Sequence, residues 1–169
     1  MTLSKTPRVR QPNSKHCFVC GVENECGIGL RFDSIGHGEV EAEYRVPDRF
    51  QGYPGLAHGG IVACMLDEVL GRTVMVDDPT CFMYTAKMEL RYRKPVPLGE
   101  TLKLFGKLER QRGRVATAHA ELRLPDGSIA VEAEGVLVEV PDISVNEEEL
   151  KAFGWKVYPE GAERVEVEG

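Results

Sequence analysis

Apolar and polar positions alternate over most of this chain and lose that alternation in one place. From Glu39 to Val46, Val40, Ala42, Tyr44 and Val46 fall on one side and Glu39, Glu41, Glu43 and Arg45 on the other, the signature of a strand with one wet face. The period returns where Ala86, Met88, Leu90 and Tyr92 are set to face a core and Lys87, Glu89, Arg91 and Arg93 to face water. It returns again over 101–111, with Leu102, Leu104, Gly106 and Leu108 inward, and over 115–124, with Ala116, Ala118, Ala120, Leu122 and Leu124 inward. Residues 129–139 predict a last strand, and 28–34 a short one ahead of a turn at Gly36–Gly38. Arg112-Gly113-Arg114 and Pro125-Asp126-Gly127 read as the tight connections between the late strands. Gly59 to Val74 breaks the pattern. Ile61, Val62, Ala63, Cys64, Met65, Leu66, Val69, Leu70 and Val74 leave hardly a polar face, which predicts a buried helix. Asp77-Asp78-Pro79 ends that region. A short second helix is predicted over 146–153, starting at Asn146 with three glutamates in its first turn.

One long helix among alternating strands joined by short turns implies an α+β fold, an antiparallel sheet wrapped on one buried helix. The alanine stripe at 116, 118 and 120 leaves room for the helix to lie close. At 169 residues the chain reads as one domain, divided as a flexible basic arm over 1–15, a folded domain over 16–141 and an acidic extension over 142–169. The arm has four bases and no acids; the extension has eight acids against three bases and carries most of the net charge of −6. Beyond Pro159 the chain reads as frayed. No basic body suggests nucleic acid, and no 18-residue apolar run suggests a membrane span. Five cysteines at irregular spacing suit a reducing compartment, so a cytoplasmic location is expected.

The buried helix carries two adjacent carboxylates. Glu68 has Arg72 four residues on, the favourable order for a helical ion pair. Asp67 has Gly71 at that position and otherwise Ala63, Leu70 and Val74 on its stripe. An unpartnered buried carboxylate costs several kcal/mol and is retained mainly where a charge is needed. The start of the helix, His58-Gly59-Gly60, contains no Ser, Thr, Asp or Asn to cap it, so its first amides should be free. Free amides at a helix N-terminus suit an oxyanion or a polarised carbonyl. Asp67 lies nine residues after His58, roughly 13 Å along a helix, too far for both to reach one carbonyl. Only a second copy of the chain could bring the two halves together, so a homo-oligomer, dimer or tetramer, is expected.

These residues resemble a known family. His-Gly-Gly, an apolar run, Asp at the ninth position after His and then a small residue look like the hotdog-fold acyl-CoA thioesterases of the phenylacetate-degradation, or PaaI-like, type. Thr85 to Pro95, ending in Tyr92-Arg93-Lys94-Pro95, resembles that family's strand after the helix, and Cys17-Phe18-Val19-Cys20-Gly21 with Asn24 and Gly27 resembles its lead-in. The resemblance covers roughly residues 17–140. It implies a hotdog fold and hydrolysis of an acyl-CoA thioester to free acid and CoA at a dimer-interface site. There the thioester carbonyl meets the Gly59 amide, helped by His58 and Gly60. Asp67 of the other copy attacks, or activates a water, and Thr85 holds that water. Many members have Asn six residues before His-Gly-Gly; here Gly52 stands there beside Gln51, so either Gln51 or His58 replaces that contact or the site is weaker. A hotdog protein that binds acyl-CoA or another small ligand without turnover is the alternative reading.

Phosphate groups of CoA need cationic donors; Arg91, Arg93 and Lys94 are the candidates, with Arg112 and Arg114 behind them. No cofactor is expected beyond the CoA of the substrate, and no metal. The nearest thing to a metal set is His16, Cys17, Cys20 and Cys26, which has one Cys-x-x-Cys and incomplete zinc spacing. Cys64 and Cys81 have no catalytic partner at a recognisable spacing, and no Gly-x-Ser-x-Gly elbow is present. His37 in its glycine turn and His119 on an outer strand face read as surface residues.

Overall fold

The structure, a computed structural model, describes residues 7–139 and 145–159. Its long helix α1 spans Gly59–Thr73, one residue short of expectation. Around it lie β1 (Val9–Arg10), β2 (Asp33–Gly36), β3 (Glu39–Arg45), β4 (Tyr84–Tyr92), β5 (Thr101–Arg112), β6 (Val115–Arg123) and β7 (Ile129–Val138). These strands form one antiparallel sheet in the order β1-β2-β3-β5-β6-β7-β4. The chain therefore crosses the sheet through α1: β3 and β4 are consecutive strands, yet β5, β6 and β7 lie between them.

The sheet wraps α1 because its inner face is cut down to size beneath the helix. Val62, Met65, Leu66, Val69 and Leu70 are buried on α1, and Leu102, Leu104, Ala116, Ala118, Ala120, Leu122, Ala133 and Leu137 are buried beneath them. Each large apolar side chain removed from water contributes about 1.5–3 kcal/mol. Gly106 and Gly135 set the distance of approach: a Cβ there would stand 2.5 Å from Val69 Cγ1 and 2.6 Å from Leu70 Cδ1. Leu108 and Leu124, expected inside, are half-buried.

β4 departs from its expected burial. The sheet order puts it at an edge, and of its four inward candidates Met88 and Leu90 are half-buried while Ala86 and Tyr92 are exposed. A register shift between Thr85 and Lys87 also displaces Ala86 from the simple alternation.

The arm is a second correction. Residues 9–15 are not loose: Val9 and Arg10 pair with β2, and Gln11, Asn13 and Ser14 are buried. Asn13 donates to the carbonyls of Cys20 (2.7 Å) and Leu30 (2.8 Å), and its backbone pairs with Lys156 near the other end of the chain. The strand expected over 28–34 is confined to Asp33–Gly36. Upstream, Ile28 and Leu30 bond instead to the carbonyls of Phe18 and Val19. Helix α2, Glu147–Phe153, has the expected Asn146 cap and closes a capping box with Glu149. After it, Trp155 stacks on Phe153 at 5.7 Å and donates to Pro79 O at 2.9 Å. The first six residues of the arm, the boundary drawn at 141/142 and the fraying expected after residue 159 lie outside the described residues.

Candidate active site

The mouth of α1 opens on a cleft of about 320 Å³ between the loop before the helix and the end of β4, lined by Tyr53, Leu56, Gly59, Val62, Tyr92, Arg93, Lys94 and Val96 among others. The loop is held by its own backbone: Gly52 N donates to Leu56 O, His58 N to Phe50 O and Ala57 N to Val96 O. A Cβ on Gly52 would sit 3.0 Å from His58 Cα, so a side chain at this position, such as the family Asn, needs His58 to give by a few tenths of an ångström. Gln51 is exposed, its side-chain oxygen accepting from Gly55 N at 3.0 Å.

The helix is capped after all. His58, extended at φ −63° and ψ 132°, accepts from Gly60 N through Nδ1 at 3.0 Å. Histidine is not a usual cap residue by type, which is why the sequence pattern left this end open. The bond takes the Gly60 amide out of consideration as a free donor. It also puts the proton of the neutral imidazole on Nε2, where it can be donated outward. The Gly59 amide makes no hydrogen bond among the described residues, at the positive end of a fifteen-residue helix. Tyr92, which drew notice in the sequence only as part of a strand, is the overlooked member of the site. Its hydroxyl donates to Gly59 O at 2.6 Å and pins the first residue of α1 to the end of β4. Burial, and then the nearby Cys64, raises the Tyr92 pKa, so the phenol stays protonated and donating.

Asp67 is half-buried, not fully buried as expected. It lies on the stripe of α1 that the sheet does not cover, with Ala63, Cys64 and Gly71, also half-buried. It makes no ion pair or hydrogen bond among the described residues. Its charge is felt locally: burial raises the Cys64 pKa first, and the Asp67 carboxylate adds to it. Within one chain Asp67 stays about 12 Å of helix away from Gly59. Thr85 is exposed near the start of β4, paired with Leu137, toward the opposite end of that strand from Tyr92.

The basic candidates separate into two groups. Arg93 and Lys94 line the cleft, bonded through their amides to Ala130 O. Arg93 is also tied to Glu132 at 2.6 Å. Arg91 is exposed one residue before Tyr92 but is not part of the cleft wall. Arg112 and Arg114 do not join them. Their hairpin sits where Val115 pairs with Val138 and Val138 with Tyr84, whereas the cleft end of the sheet is where Tyr92 pairs with Val131. Seven residues of strand, roughly 23 Å, lie between.

Glu68 and Arg72 do pair, at 2.9 Å, but not as a solvated pair. Arg72 is 1% exposed. It donates to Pro12 O at 2.6 Å, and its guanidinium lies over the rings of Phe32 (4.8 Å) and Trp155 (4.9 Å). Nor does the four-residue zinc set assemble: His16 and Cys26 are exposed, while Cys17 and Cys20 gather with Glu68. His119 reaches Glu134 at 2.6 Å and Glu121 at 3.0 Å on the outer sheet face.

Comparison with known proteins places the fold. Residues 54–131 match the model of the thioesterase superfamily. The acyl-coenzyme A thioesterase THEM4 of Xenopus laevis is 29% identical over 130 residues, covering 73% of this chain and 55% of that protein. The chain spans 36% to 55% of the length of curated relatives that it matches. Among solved structures, a thioesterase superfamily protein superposes with a TM-score of 0.68 at 34% identity, over 74% of this chain and 61% of its own. A Streptococcus mutans protein bound to acetyl-CoA gives 0.59 at 20% identity, over 64% of this chain and 86% of its own, a likeness of fold. The sheet wrapped on α1 is the hotdog fold of that superfamily.

Proposed function

We propose that this chain, which belongs to the thioesterase superfamily, hydrolyses acyl-CoA thioesters to free acid and CoA at sites shared between two copies of itself. The observation that carries the reading is the unbonded Gly59 amide at the mouth of α1, facing a cleft whose wall includes Arg93 and Lys94. The thioester carbonyl oxygen accepts from Gly59 N–H and gains the helix dipole as negative charge develops on it. His58 Nε2–H is the second donor. Arg93 and Lys94 meet the CoA phosphates, with Arg91 at the rim. Asp67 comes from the partner copy, as does the Thr85 hydroxyl that orients a water. Either the carboxylate takes a proton from that water as it adds to the carbonyl, and the CoA thiolate leaves, or the carboxylate attacks the carbonyl itself. In the second case it expels the CoA thiolate to leave a mixed anhydride that water then cleaves to the free acid. The acyl-CoA class is supported by the frog relative's name and by the acetyl-CoA in the Streptococcus mutans structure. A second copy is supported by the bare Asp67 stripe and by the outer edge of β4, nine residues long and with no partner strand among the described residues, since such edges are usually covered or paired.

Release of free thiol across a panel of acyl-CoAs tests the activity. Turnover of at least one member that is lost in Asp67→Asn is the expected result. Saturable binding with no thiol released from any member would instead make the chain an acyl-CoA-binding protein.

A further inference from the structure

The lead-in segment holds two sulfurs in an unequal arrangement that the thioesterase reading does not use. The Sγ atoms of Cys17 and Cys20 and a carboxylate oxygen of Glu68 lie within 4.8 Å of one another. Cys17 is half-buried, whereas Cys20 is 2% exposed. The turn between them is tight: Gly21 N donates to Cys17 O at 2.9 Å, and a Cβ on Gly21 would stand 2.3 Å from that same oxygen. The turn aims two amides at Cys17 Sγ, Val19 N at 3.3 Å and Cys20 N at 3.5 Å. The sulfur that can be reached is thus the one furnished with donors for a negative charge, and the other waits behind it. The Cys20 thiol beside it, then those amides, bring the Cys17 pKa down to about 6 against the opposing effects of burial and Glu68. Cys20 moves upward and stays a thiol, through its interaction with Cys17 and its burial.

We propose that Cys17 and Cys20 form a thiol–disulfide exchange site, Cys17 attacking and Cys20 resolving, for low-molecular-weight disulfides of the glutathione class. Cys17 thiolate attacks one sulfur of the external disulfide, forming a mixed disulfide and expelling one thiolate. Cys20 then gives up its proton to the external thiolate it displaces and attacks Cys17 Sγ. The Cys17–Cys20 bond forms and a second external thiol leaves, so the protein is oxidised by two electrons and one disulfide is reduced to two thiols. A structural metal fits the cluster less well. It offers three donors where tetrahedral zinc sites use four, and Glu68 is already engaged by the buried Arg72 guanidinium.

The test uses the full chain, reduced and then equilibrated in glutathione buffers of increasing oxidation, quenched with acid and mapped by mass spectrometry. The expected product is a Cys17–Cys20 disulfide, with Cys26, Cys64 and Cys81 still alkylatable. Cys20→Ser should accumulate glutathione on residue 17, and Cys17→Ser should protect residue 20. On unmodified protein, independently of any variant's folding, Cys17 should react with iodoacetamide at pH 6 about tenfold faster than a model thiol of pKa about 8.5, allowing for the lower nucleophilicity of a more acidic thiolate. The proposal is overturned if no 17–20 disulfide forms in oxidised buffer, if Cys17 reacts no faster than the model thiol, or if one metal ion per chain protects both cysteines until it is chelated.

Discussion

The two ends of helix α1 are built on opposite principles. At its first turn the backbone is exposed, the residues are glycines and one amide is left unbonded beside an open cleft. At its last turn, a buried Arg72 bonds Glu68 on the same helix and Pro12 from the start of the chain, and lies over Phe32 and Trp155. One end leaves its mouth open to the cleft; the other uses Arg72 to hold both terminal segments against the core. Asp67 and Glu68, neighbours in sequence, fall on either side of this division. Glu68 faces the anchored end and Asp67 the uncovered stripe, so one carboxylate is bonded to Arg72 and the other has no bond among the described residues.

That contrast can be broken by exchanging the functions of the two carboxylates. Asp67→Asn should lower kcat about 10² to 10⁴-fold, the range for loss of a general base, and shift stability by no more than about 0.5 kcal/mol, as for other sites without a structural partner. Gly59→Pro should lower kcat about 10² to 10³-fold, as for loss of an oxyanion donor, while the fold survives. Proline suits the first helical position. His58 before it is already extended, and a Cβ at 59 meets only Tyr92, at 3.7 Å. Glu68→Gln should do the reverse, costing about 1.5–3 kcal/mol in urea unfolding, as for a hydrogen bond to a charged group, with kcat little changed. A solvated i,i+4 pair would cost no more than about 0.5 kcal/mol. If Glu68→Gln were the inactive variant and Asp67→Asn the unstable one, the division of the helix would be wrong.

Smaller effects sharpen the comparison. Tyr92→Phe should cost about 1 kcal/mol in the same unfolding experiment, the net contribution of one hydrogen bond, by releasing Gly59 O from β4. On the outer sheet face, burial works against protonation of His119, but its hydrogen bonds to Glu134 and then Glu121 outweigh it and raise its pKa. A raised folded pKa means stabilisation that is full below the unfolded value, about 6.5, and is lost as pH climbs through the folded value. The stability gap between wild type and His119→Gln should therefore be widest near pH 6 and close on the alkaline side; a gap that widened with pH would reverse the assignment.

The sheet and helix were legible because burial imposes a period. Glu39 to Val46 and the alanines of β6 could hardly be placed otherwise, and α1 stood out by having no polar face. What stayed hidden depends on contacts without a period. β1 and the segment after it are anchored by the polar side chains of Gln11 and Asn13 reaching backbone and other polar groups, so a stretch that is basic and proline-containing passes for a loose arm. The alternation in β4 reads alike for an edge strand and a central one. The i,i+4 spacing of Glu68 and Arg72 was visible, but their burial depends on Phe32 and Trp155, distant in the chain. At the site, Asp67 and the helix mouth were apparent from residue type. The His58 cap and the Tyr92 bond were not, because each depends on where a loop or strand end comes to rest.

The claim that two copies share each site is tested most directly by mixing two inactive parents. Coexpressed Asp67→Asn and Gly59→Pro chains, purified through both of two separate tags so that only mixed pairs remain and assayed for thiol release, should recover about half of wild-type activity in a two-fold interface, because one of the two sites in each mixed pair unites an intact Gly59 with an intact Asp67. Activity no higher than that of either parent alone, with mixed oligomers demonstrably present, would contradict the account and place both groups of each working site within one chain.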